Sequence, residues 1–244
     1  MHQPPLADRR RTEVLRQCLS VGVATGAYGI SFGALSVADG LDLWQTMALS
    51  ALLFSGASQF AVVGVVAAGG SGAAAVATST LLGMRNGLYG LQMSKLLGVR
   101  GLRRVAAAQL TIDESTAVAV AQPEPSAQRL GFWGTGLAVF VMWNLMTILG
   151  AVVGNALGDP KRFGLDAAAP AAFCALLWPR LKSGDAAAVA AVAAVIALVA
   201  APHAPVGIPV LVAALAAIVA GLLPSRRRED LGDADTSPED EAPG

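Results

Sequence analysis

The sequence predicts an all-α, polytopic integral membrane protein of about seven to eight transmembrane segments, some of them broken or re-entrant. Three observations carry this. Only 14% of the 244 residues are charged, against about 25% in average soluble domains. Four runs hold no Asp, Glu, Lys or Arg at all: Gln17–Ala38, Leu43–Met84, Leu130–Gly158 and Ala186–Ser225. A helix needs about 20 apolar residues to cross ~30 Å of hydrocarbon. The second and fourth runs are each long enough for two passes. Each also holds a turn signal, Gly69-Gly70-Ser71-Gly72 and Pro202-His203-Ala204-Pro205.

Taken in order, the pattern predicts helices over 17–38, 44–67 and 73–93, then a basic loop with Lys95, Arg100, Arg103 and Arg104. A weaker apolar segment over 105–121 is interrupted by Asp113 and Glu114. The Pro/Glu loop at 122–126 leads to a long helix over 131–155, followed by helices over 166–180, 186–201 and 206–223. Residues 1–16 form a basic segment with Arg9, Arg10, Arg11 and Arg16, and Arg226 to Arg228 follow the last apolar run. Both clusters read as cytoplasmic flanks under the positive-inside rule. Residues 17–223 are then the transmembrane domain, with a first helix that is retained and not a cleaved signal. Residues 224–244 form an acidic tail, rich in Pro, Asp and Gly, expected to be disordered.

Topology rests on the doubtful segments 73–93 and 105–121. Counting Lys and Arg does not choose between eight crossings and a re-entrant third segment. Eight is preferred because the Arg226–Arg228 cluster abuts the last helix. Gly40-Leu41-Asp42 and Gly164-Leu165-Asp166 form a faint internal echo, of the kind that repeats leave in secondary transporters.

Several function classes drop out. No P-loop, GxSxG or metal-ligand spacing is present, and His2 and His203 lie far apart, so neither enzyme, metal site nor cofactor is expected. Net charge is zero, so the balance itself says nothing about nucleic acid; no such partner is expected of a chain built of apolar spans. Cys18 and Cys174 both lie in apolar segments and read as small hydrophobes.

Polar residues inside apolar runs need partners, because an unmet group in hydrocarbon costs several kcal/mol. Ser55, Ser58 and Gln59 cluster in LLFSGASQF, read either as a solute path or as interhelical glue. Gly22, Gly26, Gly29 and Gly33 mark one face of the first helix, suited to close packing or to a broken helix that bares its backbone. Arg85 and Asn86 end the second charge-free run. There an arginine either snorkels to phosphate or meets a carboxylate. Asp113 and Glu114 are intramembrane acids, which point to function by default, unless their segment is a shallow wet loop. Trp143 and Asn144 interrupt the long helix, Trp143 as an interfacial anchor and Asn144 as a packing bond or a path residue.

These residues, in order, resemble the AzlC family, the large subunit of branched-chain amino-acid exporters. The likeness is carried by Phe32-Gly33, Gly40-Leu41-Asp42, the Phe54–Phe60 segment with Gly56 and Gln59, Arg85-Asn86-Gly87-Leu88-Tyr89, Asp113-Glu114-Ser115-Thr116, Trp143-Asn144, and Gly164-Leu165-Asp166 leading to Pro170 and Phe173. It covers about residues 15–223. The family has Asn, one residue, then Arg before Leu-Tyr; here the order is Arg85-Asn86.

The resemblance implies export of leucine, isoleucine and valine, with methionine as a further candidate, across a bacterial cytoplasmic (inner) membrane. It also implies a small AzlD-type membrane partner of about four spans. On that reading Gly29, Gly33, Ser55, Ser58, Gln59, Arg85, Asn86 and Asn144 are the candidate substrate-binding residues, and Asp113 and Glu114 the proton-coupling ones. A passive small-solute channel and a non-transporting subunit that stabilises a partner are the alternatives.

Overall fold

In a computed structural model of the chain, residues 8–157, 171, 174, 177–178 and 181–222 are described. Among them there are helices and turns but no strand. The chain divides into two compact units, residues 1–180 with 205–207, and residues 181–204 with 208–244.

The first unit holds α1 (Asp8–Gly26), α2 (Tyr28–Ala38), α3 (Leu43–Ala48) running into a π-helical turn (Leu49–Leu53), α4 (Gly56–Ala67), α5 (Gly72–Leu97), α6 (Leu102–Gln109), α7 (Asp113–Val120) and α8 (Pro125–Leu157). The second holds α9 (Gly184–Ala200) and α10 (Ile208–Leu222), which pack on one another. Local chemistry sets most boundaries. Gly40 takes a left-handed φ of 95°, and Asp42 caps α3 by accepting from Gln45 N at 2.7 Å while Gln45 answers its backbone N–H at 2.9 Å. Ser71 caps α5 in the same way at 3.2 Å, and Gly98, at φ 62°, ends it. Pro125 opens α8, where its missing N–H costs nothing.

Among the described residues, two stretches are long and apolar enough to cross a membrane, Asp8–Ala38 and Pro125–Ala156. Both start earlier than the apolar pattern alone predicts, because the helix continues into its charged flank. The expected 44–67 helix is interrupted at Phe54-Ser55. The expected 105–121 segment is two eight-residue helices joined by Leu110–Ile112. Their halves are each shorter than the about 20 residues a crossing needs. The helix expected over 166–180 falls almost entirely outside the described residues. The 164–166 echo, Pro170, Phe173, the Arg226–Arg228 cluster and the acidic tail lie wholly outside them.

The glycine face of α1 and α2 lies flat on α8. A Cβ built on Gly22 would come within 2.6 Å of the Ala138 Cβ, and one on Gly26 within 2.5 Å of the Met142 Cβ. On Gly29 it would lie 2.6 Å from the Trp143 carbonyl oxygen, and on Gly33 it would run into that of Thr147. Gly150 faces the Ile30 carbonyl from the other side just as closely. These glycines let two backbones touch, which is how helices gain dispersion energy where lipid removes the hydrophobic drive. Gly29 and Gly33, expected as substrate-binding residues, are both buried in this seam.

The core sits beside the seam. Phe32 stacks on Trp143 with centroids 6.0 Å apart, and Phe60 meets both edge-on, at 5.6 Å from Phe32 and 6.4 Å from Trp143. Trp143 is therefore a buried core residue, 5% exposed, rather than an interfacial anchor. Phe54, Val63, Ile112 and Val139 complete the cluster.

Candidate functional site

The interruption at Phe54-Ser55 is the origin of the site. Phe54 is the sole non-glycine residue with positive φ among the described residues, at φ 22° and ψ 57°. Such a conformation costs about 1–3 kcal/mol and persists only when its surroundings enforce it. Here the Phe54 ring is held edge-on against Phe140, 5.0 Å away. Ser55 follows in an extended conformation, and α4 starts afresh at Gly56.

A broken helix exposes two sets of backbone groups. At the first half's end, four successive carbonyls are met by two glutamines. Gln59 Nε2 donates to Leu49 O at 2.9 Å and Ser50 O at 3.2 Å. Gln109 Nε2, from α6, donates to Ala51 O at 2.7 Å and Leu52 O at 3.4 Å. At the start of the second half, the first intrahelical bond runs from Gln59 N to Ser55 O at 2.9 Å. The N–H groups of Gly56, Ala57 and Ser58 precede it and sit at the positive end of the α4 dipole.

A cavity opens beside this break. About 90 Å³ of it is open to water, room for several molecules. Ser55, Gly56 and Ala57 line it at the break, and Arg85 and Asn86 reach it from α5. Asp113 and Glu114 reach it from the first turn of α7, and Thr25 and Tyr28 stand at the junction of α1 and α2. Phe54, Phe60, Ile112, Val139 and Trp143 give it an apolar wall. Arg85 Nη1 and Asp113 Oδ2 form an ion pair at 2.9 Å, with side chains 29% and 19% exposed. Arg85 thus meets a carboxylate, the second of the two readings its position allowed. Its Nε and the Asn86 Oδ1 are buried without hydrogen-bond partners among the described residues.

Of the ten residues expected from sequence, five line the cavity: Ser55, Arg85, Asn86, Asp113 and Glu114. Ser58 stands just behind, fully buried, accepting from Ser55 Oγ at 3.2 Å and donating to Ser79 O at 3.0 Å. Gln59 is also fully buried and engaged with the broken helix. The Asn144 side chain folds back on its own helix, donating to Phe140 O at 2.8 Å, while its neighbour Trp143 faces the cavity. Sequence reasoning does not single out Thr25, Tyr28 or Gln109, and it names Phe54 only as part of the resemblance. Thr25 and Tyr28 flank the Gly26 break, and that proximity is the one signal that points to them.

Residues 20–157 match the sequence profile described as AzlC protein, and that stretch carries every residue lining the cavity. The chain belongs to the AzlC family. This is a family of membrane proteins associated with branched-chain amino-acid transport, not an enzyme family. The match to AzlC ends at the last residue of α8, short of the 15–223 expected from the resemblance. No curated protein and no solved structure is significantly similar to the chain.

Proposed function

We propose that this chain exports branched-chain amino acids across the bacterial cytoplasmic membrane as a proton-coupled secondary transporter, together with a small AzlD-type membrane subunit. The observation that carries the reading is the meeting of the helix break with the Arg85–Asp113 pair around one mostly apolar cavity. A zwitterion needs an anion site, a cation site and an apolar wall within one molecule's length. The α4 amides and Arg85 suit the carboxylate, since helix N-termini and guanidinium forks both favour anions. Asp113 and Glu114 suit the ammonium group. Phe54, Phe60, Ile112, Val139 and Trp143 suit a branched aliphatic side chain.

The ion pair gives a route to coupling. Arg85 and Asp113 neutralise each other. A bound amino acid offers each a new partner, so the pair opens without leaving either charge stranded. Glu114, one residue away, is placed to carry a proton through the cycle. Discontinuous helices around a polar site are the recurring architecture for such alternating access.

The test is efflux from cells lacking their own branched-chain exporters. These are loaded with a valine-containing dipeptide and express this chain with and without the small subunit. Valine release against its gradient, abolished by a protonophore, is the expected result. Downhill release indifferent to the protonophore would replace the transporter with a passive channel. Release unchanged by expression, with both chains in the membrane, would leave a stabilising subunit.

A further inference from the structure

The cavity lies where two interrupted helices meet, and one side chain outside it ties them together. Gln109 is the last residue of α6, and its amide nitrogen reaches across to the π-helical turn, 2.7 Å from Ala51 O and 3.4 Å from Leu52 O. Gln59 serves the two preceding carbonyls, but it belongs to α4 and so stays within the same broken helix. Gln109 comes from a different one.

The three residues after Gln109 are held tightly. Thr111 Oγ1 donates to Ala107 O at 2.7 Å, Ser115 Oγ donates to Leu110 O at 2.6 Å, and Ile112 N donates to Ser115 Oγ at 3.1 Å. Together these bonds brace the interruption between α6 and α7. The position of Gln109 therefore fixes that of Asp113 and Glu114 through a short, hydrogen-bonded path. On its other side, the residues it grips lead within three or four positions to Ser55, where the cavity begins.

We infer that Gln109 is a positioning residue that holds the two helix breaks in register, setting the distance between the α4 amides and the Asp113–Glu114 carboxylates. This rests on the zwitterion reading of the cavity. Gln109 does not line the cavity and touches no substrate. It acts by keeping both ends of the site one amino acid apart.

Gln109→Glu keeps the shape and loses the donor, whereas Gln109→Lys keeps a donor suited to carbonyls at a helix end. With release normalised to protein in the membrane, Gln109→Glu raises the internal valine concentration for half-maximal efflux about five-fold, the worth of one net hydrogen bond. Its maximal rate stays near wild type, and Gln109→Lys behaves as wild type. A loss of maximal rate alone, at unchanged half-saturation, would make Gln109 merely structural and overturn the inference. A second readout needs no substrate: amide hydrogen exchange over residues 49–57 of the purified full chain, about five-fold faster in Gln109→Glu. Equal exchange would overturn the tie between the helices. If the wild-type chain moves no amino acid, the transport reading falls and the exchange experiment alone decides the fate of the tie. If Gln109→Glu does not reach the membrane, Gln109→Asn, too short to span to Ala51, goes through the same two measurements with the same expected results.

Discussion

Replacing Gln59 by leucine separates a helix-capping role from a substrate-binding one. The substitution conserves most of the buried volume, so cavity formation is a minor contribution. It removes two donated hydrogen bonds, to Leu49 O and Ser50 O, at a helix end where carbonyls lack their usual partners. Stranding a buried acceptor costs about 1–3 kcal/mol in soluble proteins. Measured side-chain bonds in membrane proteins run lower, averaging about 0.6 and reaching about 1.7 kcal/mol. One effect acts the other way. Gln59 Oε1 is itself buried without a partner among the described residues, and leucine removes that orphan. The net loss is then about 1–3 kcal/mol. For a chain of this size 1 kcal/mol lowers the melting midpoint by about 2–4 °C, so the expected drop is about 2–12 °C. Detergent-solubilised wild type and Gln59→Leu, heated in steps and followed by size-exclusion recovery, give the comparison. A variant that melts with wild type but has lost transport would place Gln59 on the substrate path and refute the capping argument.

The glycine seam makes an equally direct prediction. Gly33→Ala drives a methyl into the Thr147 carbonyl and to 2.8 Å from Ala151 N, and backbone cannot step aside as a side chain tip can. A loss of about 1–3 kcal/mol is expected from overpacking. Gly64→Ala, with open space around it, is the control and melts at or above wild type. A Gly33→Ala protein as stable as its control would refute the close-contact reading. The Arg85–Asp113 pair should behave as a coupled unit. Arg85→Ala and Asp113→Ala each take an ion-pair partner from a partly buried charge, and the side-chain exposures of 29% and 19% hold the loss to about 1–3 kcal/mol. The double variant recovers part of that stability in a thermal melt but no transport. Fully additive losses would show that the two charges do not interact.

Much of this is legible in the order of residues alone. Charge-free runs give the helices, and Gly40 and Ser71 mark boundaries because their turn and cap chemistry is local. The acids in LTIDEST and the arginine after Met84 stand out as site residues because a charge in an apolar run has few other uses. What stays hidden depends on distance through space. The glycine spacing on α1 and α2 fits both a packing face and an exposed backbone, and only the position of α8 decides. Gln59 reads as a path residue or as interhelical glue until the helix before it breaks, and the break rests on a strained Phe54 that no propensity foretells. Gln109 sits on a short helix with an ordinary amphipathic pattern. Nothing in its neighbours says that its partner lies more than fifty residues upstream. Trp143 rather than Asn144 faces the cavity, because one residue turns a helix face by about 100°.

The seam between α1–α2 and α8 also has a consequence for biogenesis. Its two sides are far apart in the chain, with α2 ending at Ala38 and α8 starting at Pro125. At synthesis rates of about 5–20 residues per second, the intervening roughly 90 residues take about 5–20 seconds to emerge. Throughout that interval the face of Gly22, Gly26, Gly29 and Gly33 is made but has no α8 to lie on. A bare backbone groove then meets lipid or the insertion machinery, and the first helix has to wait for the eighth.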